Sequence, residues 1–138
     1  MSGLVQRRAR IARVRRVQHL RAAGDAAQAE GRVTQLESTA DHLAQLALAL
    51  SPERGAWTGG QLGNAAELAM RLDKLRDGMT DSIVAARATA LEQAARRLEA
   101  RVRQESAERL EERATDAVEK MRERRLAAIH RFRPASAA

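Results

Sequence analysis

Cysteine is absent from the 138 residues. That excludes disulfides, thiol catalysis and thiolate metal sites together, and it suits a reducing compartment, with the cytoplasm as the default. Aromatics are almost absent too: Trp57 and Phe132 supply the whole 1%, too little for a thick core. Only two prolines occur, Pro52 and Pro134, so nothing between them forces a helix to end. No apolar run approaches the ~20 residues that a membrane span needs. The start lacks the apolar stretch of a secretory signal, and its Arg-rich, acid-free character resembles an organellar transit peptide except that Ser2 is its only hydroxyl residue.

Ala, Arg, Leu and Glu dominate what remains, the composition of long helices joined by a narrow seam. The net charge of +7 is unevenly placed. Residues 1–21 hold seven arginines (Arg7, Arg8, Arg10, Arg13, Arg15, Arg16 and Arg21) and no acid. Residues 22–119 hold 12 basic against 17 acidic side chains, and residues 120–133 six basic against Glu123 alone. Two basic ends flank an acidic middle, and such asymmetry steers one end toward an acidic partner.

The patterning predicts one all-α unit over 1–138: an antiparallel coiled-coil hairpin with a helix over about 4–50, a bend at 51–60, a longer helix over about 61–131 and a disordered tail at 134–138. In the first arm, Val33, Leu36, Ala40, Leu43, Ala47 and Leu50 alternate spacings of three and four and form one stripe. Ile11, Val14 and Val17 make a shorter apolar group before it. Between the groups, residues 21–31 are rich in Ala and Gly, which fits either close helix approach or a soft point, since each interior Gly costs ~1 kcal/mol against Ala.

At the bend, Thr58 and Gln61 have capping-box spacing, with the helix start expected near Gln61 or Leu62. Trp57 either folds back over a helix end or stands out as an aromatic anchor. The second arm carries Leu68, Leu72, Leu75, Met79, Ile83, Ala86, Ala90, Ala94, Leu98 and Val102, in which an eleven-residue repeat predicts a nearly straight or slightly right-handed pair. A tight bend would then set Leu50 near Leu62, Leu36 near Leu75 or Arg76, Val14 near Leu98 and Ile11 near Val102. It would lay the arginines of the first arm beside Glu92, Glu99, Glu105 and Glu108. Residues beyond about Leu110 would overhang, exposing Leu110, Ala114, Ala117, Met121, Ala128 and Phe132 on a helix with a basic end.

No enzyme is legible, and no cofactor or metal is expected. The glycines at 59, 60 and 63 lack the Lys-Ser/Thr ending of a P-loop. His19, His42 and His130 are too far apart to form a ligand set and read as solvated helix histidines. Asp73, Asp77 and Asp81 read as a solvated face or as a docking strip for a basic partner. Nucleic-acid binding is disfavoured because no aromatics are interleaved among the arginines. Direct membrane binding is disfavoured because arginine surrounds the first helix on most sides.

Two phrases, Arg13-Val-Arg-Arg-Val-Gln18 leading to Leu36-Glu37, and Glu108-Arg-Leu-Glu-Glu-Arg113 leading to Glu119-Lys-Met-Arg-Glu-Arg-Arg125, together with the length and the two-helix plan, resemble the flagellar type III export stalk family (FliJ-like) and its injectisome counterpart. The resemblance implies a non-enzymatic stalk whose paired ends enter a hexameric rotary-type export ATPase and stimulate it. It also implies binding to the cytoplasmic domain of the export gate and to export chaperones. The protein would then serve flagellum biogenesis, motility and chemotaxis at the cytoplasmic side of the inner membrane, touching the membrane only through the gate. On this analogy the ATPase-facing residues are Arg7, Arg8, Arg10, Arg13, Arg15, Arg16, Arg21, Lys120, Arg122, Arg124, Arg125 and Phe132. The gate-facing ones are Leu43, Leu46, Leu50, Trp57, Leu68, Leu72, Leu75 and Met79, where the family usually has aromatics. A general coiled-coil scaffold or chaperone of another complex, or a basic nucleic-acid-binding protein, is the alternative.

Overall fold

The computed structural model describes residues 2–50 and 58–131. They form two helices, α1 (Ser2–Ala49) and α2 (Gly59–Arg131), packed as an all-α helical hairpin. Ala, Leu, Arg and Glu, all strong helix formers, carry both helices without a proline inside either. The capping box at the start of α2 forms in full. The Thr58 N–H donates to Gln61 Oε1 at 3.1 Å, and the Gln61 N–H donates to Thr58 Oγ1 at 3.3 Å. With Thr58 as the cap, α2 begins at Gly59, two residues before the expected Gln61. The readings placed on 51–57, including Trp57, on Phe132 and on the tail lie outside the described residues.

The chain divides into two compact units, Met1–Ala22 with Arg96–Ala138, and Ala23–Ala95. In both, the covered positions follow a strict seven-residue count. Along α1 the seam is Val5, Ala12, His19, Ala26, Val33, Ala40 and Ala47, each followed three residues later by Arg8, Arg15, Ala22, Ala29, Leu36, Leu43 and Leu50. Along α2 the same count covers residues 65 to 121, with only Arg76 and Arg97 left exposed. A seven-residue period belongs to left-handed coiled-coil pairing, so the eleven-residue reading is overturned. That reading had joined two different faces. Leu72, Met79, Ile83, Ala86 and Ala90 are on the seam, whereas Leu68, Leu75, Ala94, Leu98 and Val102 are exposed.

Among the described residues the buried ones are all alanines: Ala12, Ala26, Ala65, Ala86, Ala107 and Ala114. Methyl-sized side chains let two helices approach toward the near end of the usual ~8–10 Å separation, which explains how Ala12, only 1% exposed, is covered while larger neighbours are not. Ile11, Val14 and Val17, expected on the seam, are exposed. The glycines of 21–31 take no part in the close approach. A Cβ at Gly24 or Gly31 would meet nothing within 4 Å, and the covered positions of this stretch are Ala22, Ala23, Ala26 and Ala29.

The register also differs from expectation, by one heptad. Arg16 bonds Glu108 and Glu37 bonds Arg87, where the tight-bend register would have brought Arg101 and Thr80 to the same places. Ile11 and Val102 do line one groove, as do Leu50 and Leu62. However, the layers that satisfy both ion pairs and the shared grooves set Val5 with Ala114, Ala12 with Ala107, Val33 with Ala86 and Leu50 with Ala69. The nine residues 50–58 between the helices are more than a tight turn needs, which leaves room for the shift. The overhang accordingly starts later. Ala114 is buried and Val118 and Met121 are half-buried, and only residues 122–131 are exposed throughout.

The two units differ in what fills their seams. In Ala23–Ala95 the layers are Ala, Val, Leu, Ile and Met apart from Arg76 and Gln93. In the other unit, Arg8, Arg15, His19, Arg97, Gln104 and Glu111 all occupy seam positions. His19 contradicts the reading of a solvated histidine: its Nε2 is buried and makes no hydrogen bond. An orphaned polar atom of this kind costs roughly 1–3 kcal/mol. His19→Leu is therefore expected to raise the free energy of unfolding by about 1–2 kcal/mol, the removed penalty less some repacking strain. Urea titration followed by circular dichroism measures it, and a destabilised variant would contradict this account of the layer.

Candidate protein-interaction surfaces

The unit formed by Met1–Ala22 and Arg96–Ala138 gathers every described member of the expected ATPase-facing set. Arg7, Arg10, Arg13, Arg21, Lys120, Arg122, Arg124 and Arg125 are exposed, while Arg8 and Arg15 are half-buried in the seam. By sequence this unit holds 19 basic and 8 acidic side chains, net +11, and the other holds 6 and 10, net −4. The polarity is therefore a property of packed units and not only of chain segments.

Among the described members Arg16 is the one bonded to an acidic partner across the helices. Its Nε donates to Glu108 Oε1 at 2.9 Å, and Gln104 Nε2 donates to the same oxygen at 3.0 Å. The hydrogen bond from Arg16, followed by that from Gln104, holds the Glu108 carboxyl below its ordinary pKa, and the same bond raises that of Arg16. Of the other glutamates expected beside the first arm, Glu105 is bonded within its own helix by Arg101 at 3.1 Å. In the second unit Arg87 Nε donates to Glu37 at 3.0 Å. Both interhelical pairs are exposed, so they steer pairing more than they hold it together.

The expected gate-facing residues separate into two groups. Leu43, Leu50, Leu72 and Met79 are half-buried in the seam, and Leu46, Leu68 and Leu75 are exposed beside it. Leu50 also lines an apolar groove with Ala47, Leu48, Leu62, Ala65 and Ala69. Next along the same unit, Asp41, Asp73 and Asp77 line a polar groove with Arg76 and Thr80, and Arg76 lies 3.7 Å from Asp73. The aspartate stripe is thus solvated and partly neutralised by its own helix.

Among the described residues no group of three His, Asp or Glu side chains is placed to hold a metal, and no described helix is long and apolar enough to cross a membrane. His42 and His130 are exposed on different units. Reading the sequence by size of apolar residue missed Arg103, Leu110 and Ile11 as one lining. Counting sevens backward from Val33 puts Ala12 inside and Ile11 at the edge, but bringing Arg103 and Leu110 to Ile11 takes the register between the helices, which that count does not give. Compared with known proteins, the chain matches no family model, no curated protein and no solved structure.

Proposed function

We propose that this protein is a non-enzymatic stalk of the flagellar type III export apparatus. Its basic unit binds and stimulates the hexameric rotary-type export ATPase, and its other unit links that ATPase to the export gate and to export chaperones at the cytoplasmic base of the flagellum. The observation that carries the reading is the charge division between packed units, +11 against −4, on a helical hairpin. Such a division would steer one unit toward an acidic partner and leave the other to different proteins, since complementary fields set orientation and association rate. The exposed Arg122, Arg124 and Arg125, on a helix segment that no described residue covers, supply the cationic contact.

Deleting residues 120–138 is expected to abolish stimulation of the cognate ATPase, measured as phosphate release with and without the protein. Unchanged stimulation would sink the mechanism. A general scaffold that self-associates is the second reading, favoured by Leu126 and Ile129, which are 58% and 66% exposed on the same segment. Light scattering across a concentration series would show a dimer that Leu126→Gln with Ile129→Gln disperses.

A further inference from the structure

The two flanks of the seam in the basic unit differ in how their arginines are paired. On the first flank Arg16 is bonded to Glu108. On the opposite flank, α1 and α2 enclose a groove whose apolar members, Ile11, Val102 and Leu110, are 39%, 54% and 40% exposed, with Arg8, Arg15 and Arg103 around them. Among the described residues no acidic one lines it. Among the described residues Arg8, Arg15 and Arg103 make no ion pair, and Arg15 instead donates to Gln18 at 3.0 Å.

We infer that this groove receives an acidic amphipathic helix of a partner protein. Apolar side chains between unpaired guanidinium groups call for an occupant that is apolar on one line and anionic on its edges, and a helix offers both at fixed spacing. Arg8 and Arg15 are seven residues apart on α1, which is about 10.5 Å at 1.5 Å per residue. Carboxylates at i and i+7 of a helix lying along α1 meet both, with Leu or Ile at i+3 and i+4 between them over Ile11 and Leu110. Arg103 then takes a third carboxylate from the other edge. Nucleic acid is a poorer occupant, because a phosphate backbone would lie on the apolar members and no aromatic is present to stack a base. The inference uses the groove alone and does not rest on the export reading, so loss of peptide binding and loss of ATPase stimulation are separate readouts.

The probe is a fluorescein-labelled synthetic helix with Leu at three- and four-residue spacing and Glu at i and i+7, titrated with the full chain at about 150 mM salt, where charges farther apart than ~8 Å are screened. Fluorescence anisotropy should report micromolar binding, equivalent to about −8 kcal/mol. A scrambled peptide of equal charge should bind at least tenfold more weakly. Ile11→Asn with Leu110→Asn, and separately Arg103→Gln, should weaken binding about tenfold, whereas Leu126→Asn with Ile129→Asn should leave it unchanged. Equal affinity for the scrambled peptide would reduce the groove to a nonspecific basic surface and overturn the proposal. So would wild-type affinity in the groove variants, displacement of the peptide by a short DNA duplex at equal concentration, or a homodimer in sedimentation that Ile11→Asn disperses.

Discussion

Ala86→Glu is expected to lower the free energy of unfolding by about 3 kcal/mol, the cost of burying an unpaired charge after relaxation. Ala86 is 8% exposed and belongs to the apolar seam, between the half-buried Ile83 and Ala90. Neither carboxylate oxygen finds a donor there without parting the helices, and an alanine seam has no spare room in which to bend the side chain away. For a chain of this size about 3 kcal/mol corresponds to a drop of roughly 10 °C in Tm. The contrast with Ala88→Glu and Leu98→Gln gives the test its force. Ala88 is exposed and Leu98 is 62% exposed, so each should change stability by no more than about 0.5 kcal/mol. An eleven-residue seam predicts the reverse for Leu98. If Leu98→Gln proved as damaging as Ala86→Glu, the seven-residue seam would be wrong.

That contrast also shows what could be read in advance. The two helices, the capping box at Thr58 and Gln61, and the half-seam from Val33 to Leu50 follow from local chemistry: propensity, turn residues and regular spacing of large apolar side chains. The remainder of the seam was obscured because size is a poor guide where the tightest contacts are made by the smallest residues. Ile11, Val14 and Val17 attract attention, yet Ala12 and His19 are the covered positions. In α2 the large residues drift off the seam, Leu75 and Leu98 among them, and drift of that kind imitates an eleven-residue period. The basic set was legible as sequence runs, and all its described members do fall in one packed unit. The groove at Ile11 and Leu110 depends on the register, which no local signal specifies.

Why this register holds, and not the one a heptad away, is a question the charges of the basic unit answer. Alanine layers are nearly interchangeable under a shift of seven residues, so the apolar seam alone discriminates weakly between the two alignments. The polar layers are not interchangeable. With Arg16 bonded to Glu108, the seam spacing puts Arg15 in the layer of Gln104 and Arg8, which makes no ion pair among the described residues, in that of Glu111. The alternative would set Arg15 level with Arg97 and bring Arg16 toward Arg101, replacing attraction by like-charge contact. A chain without cysteine lets crosslinking read the alignment directly. Ala12→Cys with Ala107→Cys should oxidise rapidly to an intramolecular disulfide, and Ala12→Cys with Ala100→Cys should not, because bridging needs Cα atoms within about 7 Å. Adding Glu108→Arg should move crosslinking from the first pair toward the second. Acidification should act in the same direction. The Glu108 pKa is depressed in the folded state, so its stabilisation is fully present above the ordinary carboxylate range and is lost as pH falls through the lowered folded value. The raised pKa of Arg16 contributes only a change at strongly alkaline pH. Equal crosslinking of both pairs at neutral pH would mean that the polar layers do not select the register, and that the groove lined by Ile11 and Leu110 exists in only part of the population.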